Sequence, residues 1–261
     1  MDGLLYALPS WLLFILIVGG SVGLAWIGTV MLRRRTTAPK DDRHNEVAGF
    51  IFATVGVLYA VLLAFTVIIV WEQYLSAESA VSQEAAALIT VARDASSFPE
   101  PARGQVYDQL RAYAHFVITE EWRTMDESTL EHEESTGALS AINNIWSIYR
   151  SLPPSQVDPR TTESLDNLST QRAVRLESNV AALPDVLWFG LVLGAVVTIS
   201  FGLILHMENV QLHATMTALL TGLIATSIWM ILMINHPFAG DIQVSTAAFQ
   251  HAIHVIESLP R

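Results

Sequence analysis

Four long stretches of the chain hold no charged side chain, and between the second and the third the pattern changes to apolar positions recurring every three or four residues. Residues 3–32 are uncharged, with an apolar run from Trp11 to Leu32. Residues 47–71 are uncharged up to Glu72, and the stretches 186–205 and 214–234 come after a long gap. Each is long enough for a hydrocarbon core, which takes about 20 apolar residues. Four such runs cannot all be interior helices of one soluble domain of 261 residues. In lipid every backbone group must find its partner within the segment, so the four are expected as membrane-spanning helices. The first has no Lys or Arg ahead of it and is too long for a cleaved leader, so it reads as a retained helix.

Residues 72–185 obey a different rule. Val81, Ala85, Leu88 and Ala92 fall on one helical face, as do Val106, Leu110, Tyr113 and Val117. Leu139, Ile142, Ile145 (with Trp146) and Tyr149 make a third stripe, and Leu165, Leu168, Leu176, Val180 and Leu183 a fourth. These are amphipathic helices of a bundle. Pro99, Pro101, Pro153, Pro154 and Pro159 separate them, and Asp158 or Thr161 can cap the last. No breaker stands between the second span and the stripe at Val81, so one helix should run out of the membrane to near Ala95, about 73 Å at 1.5 Å per residue. The segment 124–136 is acidic and polar and reads as an exposed loop. No alternation supports a sheet. The expected fold is all-α: an integral membrane protein with four transmembrane helices and an extramembrane helical bundle inserted between helices 2 and 3. Its parts are 1–71, two spans with a basic link; 72–185, the helical module; 186–240, two spans; and 241–261, an amphipathic end segment.

Composition agrees: 52% of residues are hydrophobic and 15% charged, where soluble domains carry about 25% charged residues. The net charge of −11 disfavours nucleic acid as a partner. The absence of cysteine excludes disulfides, thiolate metal sites and cysteine nucleophiles. Arg33, Arg34, Arg35, Lys40 and Arg43 crowd the first link, whereas the opposite ends of the spans are poor in Lys and Arg. The positive-inside rule therefore puts that link in the cytoplasm and the module outside, periplasmic for an inner (plasma) membrane.

Candidate chemistry is sparse. There is no P-loop, GxGxxG, GxSxG or HExxH, and no serine has an evident base, so no enzyme, catalytic residue or cofactor is expected. His206, Glu208 and His213, or His251, His254 and Glu257, have no ligand spacing specific enough for a metal site. Asp126, Glu127, Glu131, Glu133 and Glu134 lack the glycine of a calcium loop. No Asp, Glu, Lys or Arg lies deep in a span, which disfavours a coupled transporter. The second span carries small residues on one face, Gly49, Ala53, Gly56, Ala60 and Ala64. They serve either packing within the chain or close approach of neighbouring subunits. Phe52 and Tyr59, seven apart, suit hydrophobic constrictions if this helix lines a pore, or ordinary packing if it does not. The pore candidates are therefore Phe52, Gly56, Tyr59 and Ala60, and the outer-mouth candidates Glu72, Asp185, His236 and Asp241. In the segment NHPFAGD, 235–241, Pro237 ends the helix, Asn235 can satisfy freed backbone groups, Gly240 permits an unusual turn and Asp241 can cap the next helix.

Two blocks carry a family resemblance: NEVAGFIFATVGVLYAVLLAFTVIIVWEQY from Asn45 to Tyr74, and NHPFAGD with IQVSTAAFQ directly after it. With the pair Glu121–Trp122 and the four-span plan, the chain resembles the bestrophin-like family of membrane proteins. The resemblance implies a relation to bestrophins, which are pentameric anion channels whose pore is lined by the second helix and whose large extramembrane part is cytosolic. The expected function is an oligomeric pore for inorganic ions in a lipid bilayer, a homo-oligomer with helix 2 near the axis. An acidic mouth favours cations and the family name anions. The alternative is a membrane sensor or scaffold whose bundle binds a ligand or partner without transport.

Overall fold

The computed structural model describes residues 8–35, 42–126, 136–180, 183–205 and 207–260. Glu127, Glu131, Glu133, Glu134 and His206, expected in an acidic loop and a turn, lie outside the described residues. Helix α1 comprises Ser10–Phe14, a π-helical turn Ile15–Gly19, and Gly20–Arg35. Helix α2 is Asp42–Ala95; α3 comprises Ala102–Phe116, a second π turn Val117–Glu121, and Trp122–Asp126. Helix α4 is Thr136–Ser151, α5 Pro159–Val180, α6 Asp185–Ile204, α7 Val210–Ile234 and α8 Ala247–Ser258. The described residues contain no strand. Four helices are long and apolar enough to cross a membrane, and a helical bundle stands between the second and third, as the pattern predicts. Helix α2, at 54 residues, spans about 80 Å at 1.5 Å per residue.

The chain forms two compact units. The membrane unit holds residues 8–72 and 183–235. In it α1 lies antiparallel to α7: Phe14 meets Trp229 edge-on at 5.1 Å between ring centroids, and a methyl group added at Gly222 would sit 3.1 Å from Val22. Helices α6 and α7 are antiparallel neighbours through Ala195 and Ile224, and through Gly202 against Leu220 and Thr217. Helix α2 packs on α6. The Tyr59 hydroxyl donates to the Leu191 carbonyl at 3.0 Å, and its ring lies where a side chain at Gly194 would be, 2.3 Å from an added Cβ. Gly190, near Leu62, and Gly194 form this seam, whereas a Cβ at Gly23 in α1 meets nothing within 4 Å. Thr54, Thr66, Thr226 and Ser227 return their hydroxyls to the carbonyl four residues back, as expected of hydroxyls in lipid.

The second unit holds residues 73–180 and 236–260. Its core takes Val81, Ala85, Leu88 and Ala92 from α2, and Val106, Leu110, Tyr113 and Val117 from α3, all as the periodicity requires. In α4 the buried face is Ala138, Ile142, Ile145 and Tyr149, while Leu139 is 38% exposed. The expected stripe is off by one position at its first turn because alanine rather than leucine occupies the face there. Asp158 supplies the α5 cap, accepting from the Arg160 amide at 2.9 Å, while Thr161 is buried instead. In α8, Phe249, Ala252 and Ile256 are buried, and His251, His254 and Glu257 face solvent.

The Tyr59–Gly194 contact leaves no room for a side chain. Gly194→Ala is predicted to destabilise the protein by about 1–3 kcal/mol through overpacking. Tyr59→Phe, which removes one hydrogen bond inside the membrane, should cost only about 0.6 kcal/mol. Thermal unfolding of both variants in detergent checks this. A fully stable Gly194→Ala protein would mean that the ring does not pack there.

Candidate functional site

Along the span of α2, burial divides the helix into two faces. Tyr59, Thr66 and Val70 are buried, Leu62, Leu63 and Val67 are half-buried toward α6 and α7, and Phe52 and Gly56 are half-buried. The remainder is open: Ala53, Val57, Leu58, Ala60, Val61, Ala64, Phe65 and Ile68 are exposed in the chain. A Cβ added at Gly49 or at Gly56 meets nothing within 4 Å. Of the small residues of α2, Ala53, Ala60 and Ala64 are exposed in the chain, and Gly49 and Gly56 are half-buried. Of the pore candidates, Ala60 is exposed, Phe52 and Gly56 are half-buried, and Tyr59 is keyed into α6.

Of the mouth candidates, Glu72 and Asp185 belong to the membrane unit and are exposed. They lie at the same end of it, because Val70 packs with Leu183. His236, half-buried, and Asp241, exposed, belong to the other unit. The segment around them is a structured stop. The Asn235 side chain accepts from the Leu183 amide at 2.9 Å, Gly240 takes a left-handed φ of 77°, and the Val244 amide donates to the Pro237 carbonyl at 2.8 Å. At the start of α8 Thr246 is the N-cap, its side chain making no capping bond, and Ser245 accepts from the Ala247 amide at 3.2 Å.

The second unit holds a polar cluster that the apolar stripes do not reveal. Arg175 has no exposed side-chain surface. Its Nε donates to Glu84 at 2.6 Å, its second terminal nitrogen to Glu121 and to Glu84, and its third nitrogen to the Met125 sulfur at 3.1 Å. Arg172 donates to the other oxygen of Glu121 at 2.6 Å, and the Tyr113 hydroxyl donates to Glu84 at 2.5 Å. Trp122 and Phe249 flank the guanidinium, 5.8 and 5.9 Å from its carbon, and Trp122 also meets Phe238 edge-on. Two arginines face two glutamates, so the cluster is neutral as a whole. Burial pulls the Arg175 pKa down, but the adjacent Glu84 and Glu121 more than offset it and keep the guanidinium charged. Burial, reinforced by Glu84, holds the Tyr113 hydroxyl well above its ordinary value.

The π turn at Val117–Glu121 contributes to this arrangement. The extra residue in the turn shifts the register of α3, and Val117, Glu121, Trp122 and Met125 all end up buried. The sequence does carry a signal. Thr161, Leu165, Leu168, Arg172 and Arg175 recur at alternating steps of four and three, as do Ala77, Val81, Glu84 and Leu88. The charged residues occupy seam positions of their helices.

A second cluster joins three elements of the membrane unit. Arg33, at the end of α1, donates through two nitrogens to His213 Nδ1 at 3.2 and 3.1 Å and to the Leu205 carbonyl at 2.6 Å. His213 Nε2 lies 2.9 Å from the Gly202 carbonyl. This histidine is a buried link between helices; among the described residues no group of three His, Cys, Asp or Glu side chains could hold a metal.

The bestrophin-like domain matches residues 19–249. The chain belongs to the bestrophin-like family. A bacterial bestrophin homolog from Klebsiella pneumoniae shares 14% identity over 94% of this chain and 99% of its own, with a TM-score of 0.67. A variant of that homolog gives a TM-score of 0.68 at the same identity and coverage. A structure described as a membrane protein reaches 0.70 at 11% identity, over 93% of this chain and 97% of its own. At such identities the likeness is one of fold, and it extends along nearly the whole bestrophin-like chain. No curated protein matches the sequence.

Removing one partner of the Arg175 cluster strands a buried charge. Arg175→Gln and Glu84→Gln should each cost about 3–5 kcal/mol, whereas joint replacement of Glu84, Glu121, Arg172 and Arg175 by apolar residues should cost far less. Thermal unfolding of single and quadruple variants separates the two cases, and equal losses would show that the buried charges are not the cause. The raised Tyr113 pKa gives a second prediction. The folded state favours the neutral hydroxyl, so its contribution is complete below the unfolded pKa of about 10 and is lost as pH rises beyond it. Tyr113→Phe should therefore flatten the loss of stability between about pH 10 and pH 12, measured by melting at each pH.

Proposed function

We propose that this bestrophin-like protein forms a homo-oligomeric pore for inorganic ions, with the α2 helices of neighbouring copies side by side around the axis. The observation that carries the reading is the outward face of α2. Ala53, Ala60 and Ala64 are exposed, and nothing in the chain approaches Gly49 or Gly56. Small residues on an outer membrane face let another backbone approach closely, which lipid does not require. The most apolar stretch of α2 is 17% buried, against 44% for α7, so α2 has the most surface left for a neighbour.

In this arrangement Gly56 and Ala60 set the approach between copies and Phe52 narrows the path. Tyr59 fixes the helix against α6 from behind. Glu72 and Asp185, repeated by symmetry, ring one end of the membrane unit and raise the local concentration of cations. The arginine-rich link faces the cytoplasm and the helical module the other side. The absence of acids and bases within the spans suits passive conduction along a path lined by apolar, hydroxyl and backbone groups.

The purified protein should run in detergent as a closed oligomer. Gly56→Leu should shift it to monomers without loss of helix content, since a Cβ added at that position meets nothing within 4 Å in its own chain. Liposomes carrying the wild type should pass ions, and Phe52→Ala should raise the flux. A strict monomer sinks the shared pore, and an oligomer that passes no ions points instead to a scaffold or sensor.

A further inference from the structure

Two polar atoms inside the spans have no partner in the chain. Thr198 of α6 and Thr221 of α7 are each 2% exposed, and neither Oγ1 makes a hydrogen bond. A hydroxyl on a helix in lipid ordinarily turns back to the carbonyl one turn earlier. Thr29, Thr66 and Thr226 do so, at 2.7–2.8 Å. Thr198 and Thr221 bond neither to such a carbonyl nor to each other. A buried hydroxyl left in that state costs free energy that apolar neighbours cannot return.

The two threonines stand at the same level of the antiparallel α6–α7 pair. The helices meet through Ala195 and Ile224 on one side, and on the other through Gly202, where an added Cβ would lie 3.6 Å from Leu220. Thr198 falls between those positions on α6, and Thr221 falls between them on α7. Both belong to the buried faces of their helices. The flanking buried positions are small: Ala195 and Gly202 beside Thr198, Ala218 and Ala225 beside Thr221. Small neighbours leave main-chain carbonyls uncovered beside the hydroxyls.

We propose that Thr198 and Thr221 together hold one water molecule between α6 and α7, within the bilayer. A water has two donors and two acceptor sites, so it can satisfy both hydroxyls and give its remaining hydrogen to a carbonyl, the Gly194 or the Thr217 carbonyl one turn back. The bound species is neutral. Helix α6 carries no Asp, Glu, Lys or Arg after Asp185 at its far end, and α7 carries none, so an ion at this level would have no countercharge. The water links two helices between which lipid supplies no hydrophobic drive.

The water site does not depend on oligomerisation or conduction. In the full-length protein in nanodiscs, a density map that resolves waters should show one peak about 2.7–3.2 Å from both Oγ1 atoms. Thr198→Ser should keep the peak and Thr198→Val should lose it. Thr198→Val and Thr221→Val should each lower the melting temperature by about 2–4 °C. The double valine variant should lose less than the two single losses added, because both substitutions break the same bridge. Hydroxyls turned back onto their own helices, or bonded directly to each other with no peak between, overturn the proposal. So do valine variants as stable as the wild type, or losses that simply add. If the valine variants fail to fold, the wild-type and Thr198→Ser maps decide, and a missing peak in the wild type overturns the site.

Discussion

A fully buried guanidinium between two carboxylates from different helices is the interaction on which the extramembrane bundle turns. Arg175 comes from α5, Glu84 from the outer part of α2, and Glu121 from the π turn of α3, while Phe249 of α8 closes over the group. Taking each ion out of water costs several kcal/mol, and the attraction between partners roughly returns it. The cluster therefore contributes little net stability compared with Leu88, Val106, Leu110, Ile145 and Leu165 around it. What it contributes is position. An amphipathic seam tolerates a slip of one turn, because another leucine can take the vacated place. A guanidinium two helices away from its carboxylate cannot, because a slip strands charge in an apolar core. The hydrophobic core drives the bundle together, and the cluster selects its register.

The membrane unit solves the same problem without charge. Between its helices there is no hydrophobic driving force, since lipid is as apolar as leucine, and packing must come from shape. A ring inserted over a glycine does this for α2 and α6 at Tyr59 and Gly194, and Val22 approaches Gly222 between α1 and α7. Besides the Tyr59 hydroxyl on the Leu191 carbonyl, the described polar links between elements gather toward the ends, where Arg33 and His213 join three elements and Asn235 holds the Leu183 amide. The interior is thus held by contacts that do not respond to solvent, and the ends by contacts that do.

The spans are legible in the sequence because the bilayer imposes a length and forbids charge, and both are readable from composition alone. The bundle is legible where one face is uniformly apolar, as in Val106, Leu110, Tyr113 and Val117. It is obscured where the face carries small or charged residues. Leu139 draws the α4 stripe off the line set by Ala138 and Ile142, and Glu84, Arg172 and Arg175 escape an apolar stripe because charge ordinarily marks a solvated face. Their heptad spacing is visible, but only pairing across helices makes such positions tolerable as core, and pairing is not a property of one helix. The Glu121–Trp122 pair stands out as a family resemblance, while its physical role needs the π turn, for which VITEE carries no evident local signal. Pro237 and Gly240 announce a helix stop correctly.

In the oligomer we propose, the outward face of α2 lies beside a neighbour. A helix exposed only to lipid gains by presenting large side chains, since these fill volume and cover the backbone. Phe50, Leu58, Phe65 and Ile68 do this on part of the surface. Gly49, Ala53, Gly56, Ala60 and Ala64 do the opposite on another part, and nothing of this chain covers the two glycines. Glycine in a helix costs about 1 kcal/mol relative to alanine, so an uncovered pair is a standing loss unless a second surface recovers it. Lipid acyl chains fit such a shallow groove without needing it. The backbone of another helix needs it, and a symmetric assembly supplies the same helix from the next copy. In that proposed assembly the two-faced α2, keyed by Tyr59 on one side and carrying small residues on the other, would stand as a wall between its own chain and a neighbour.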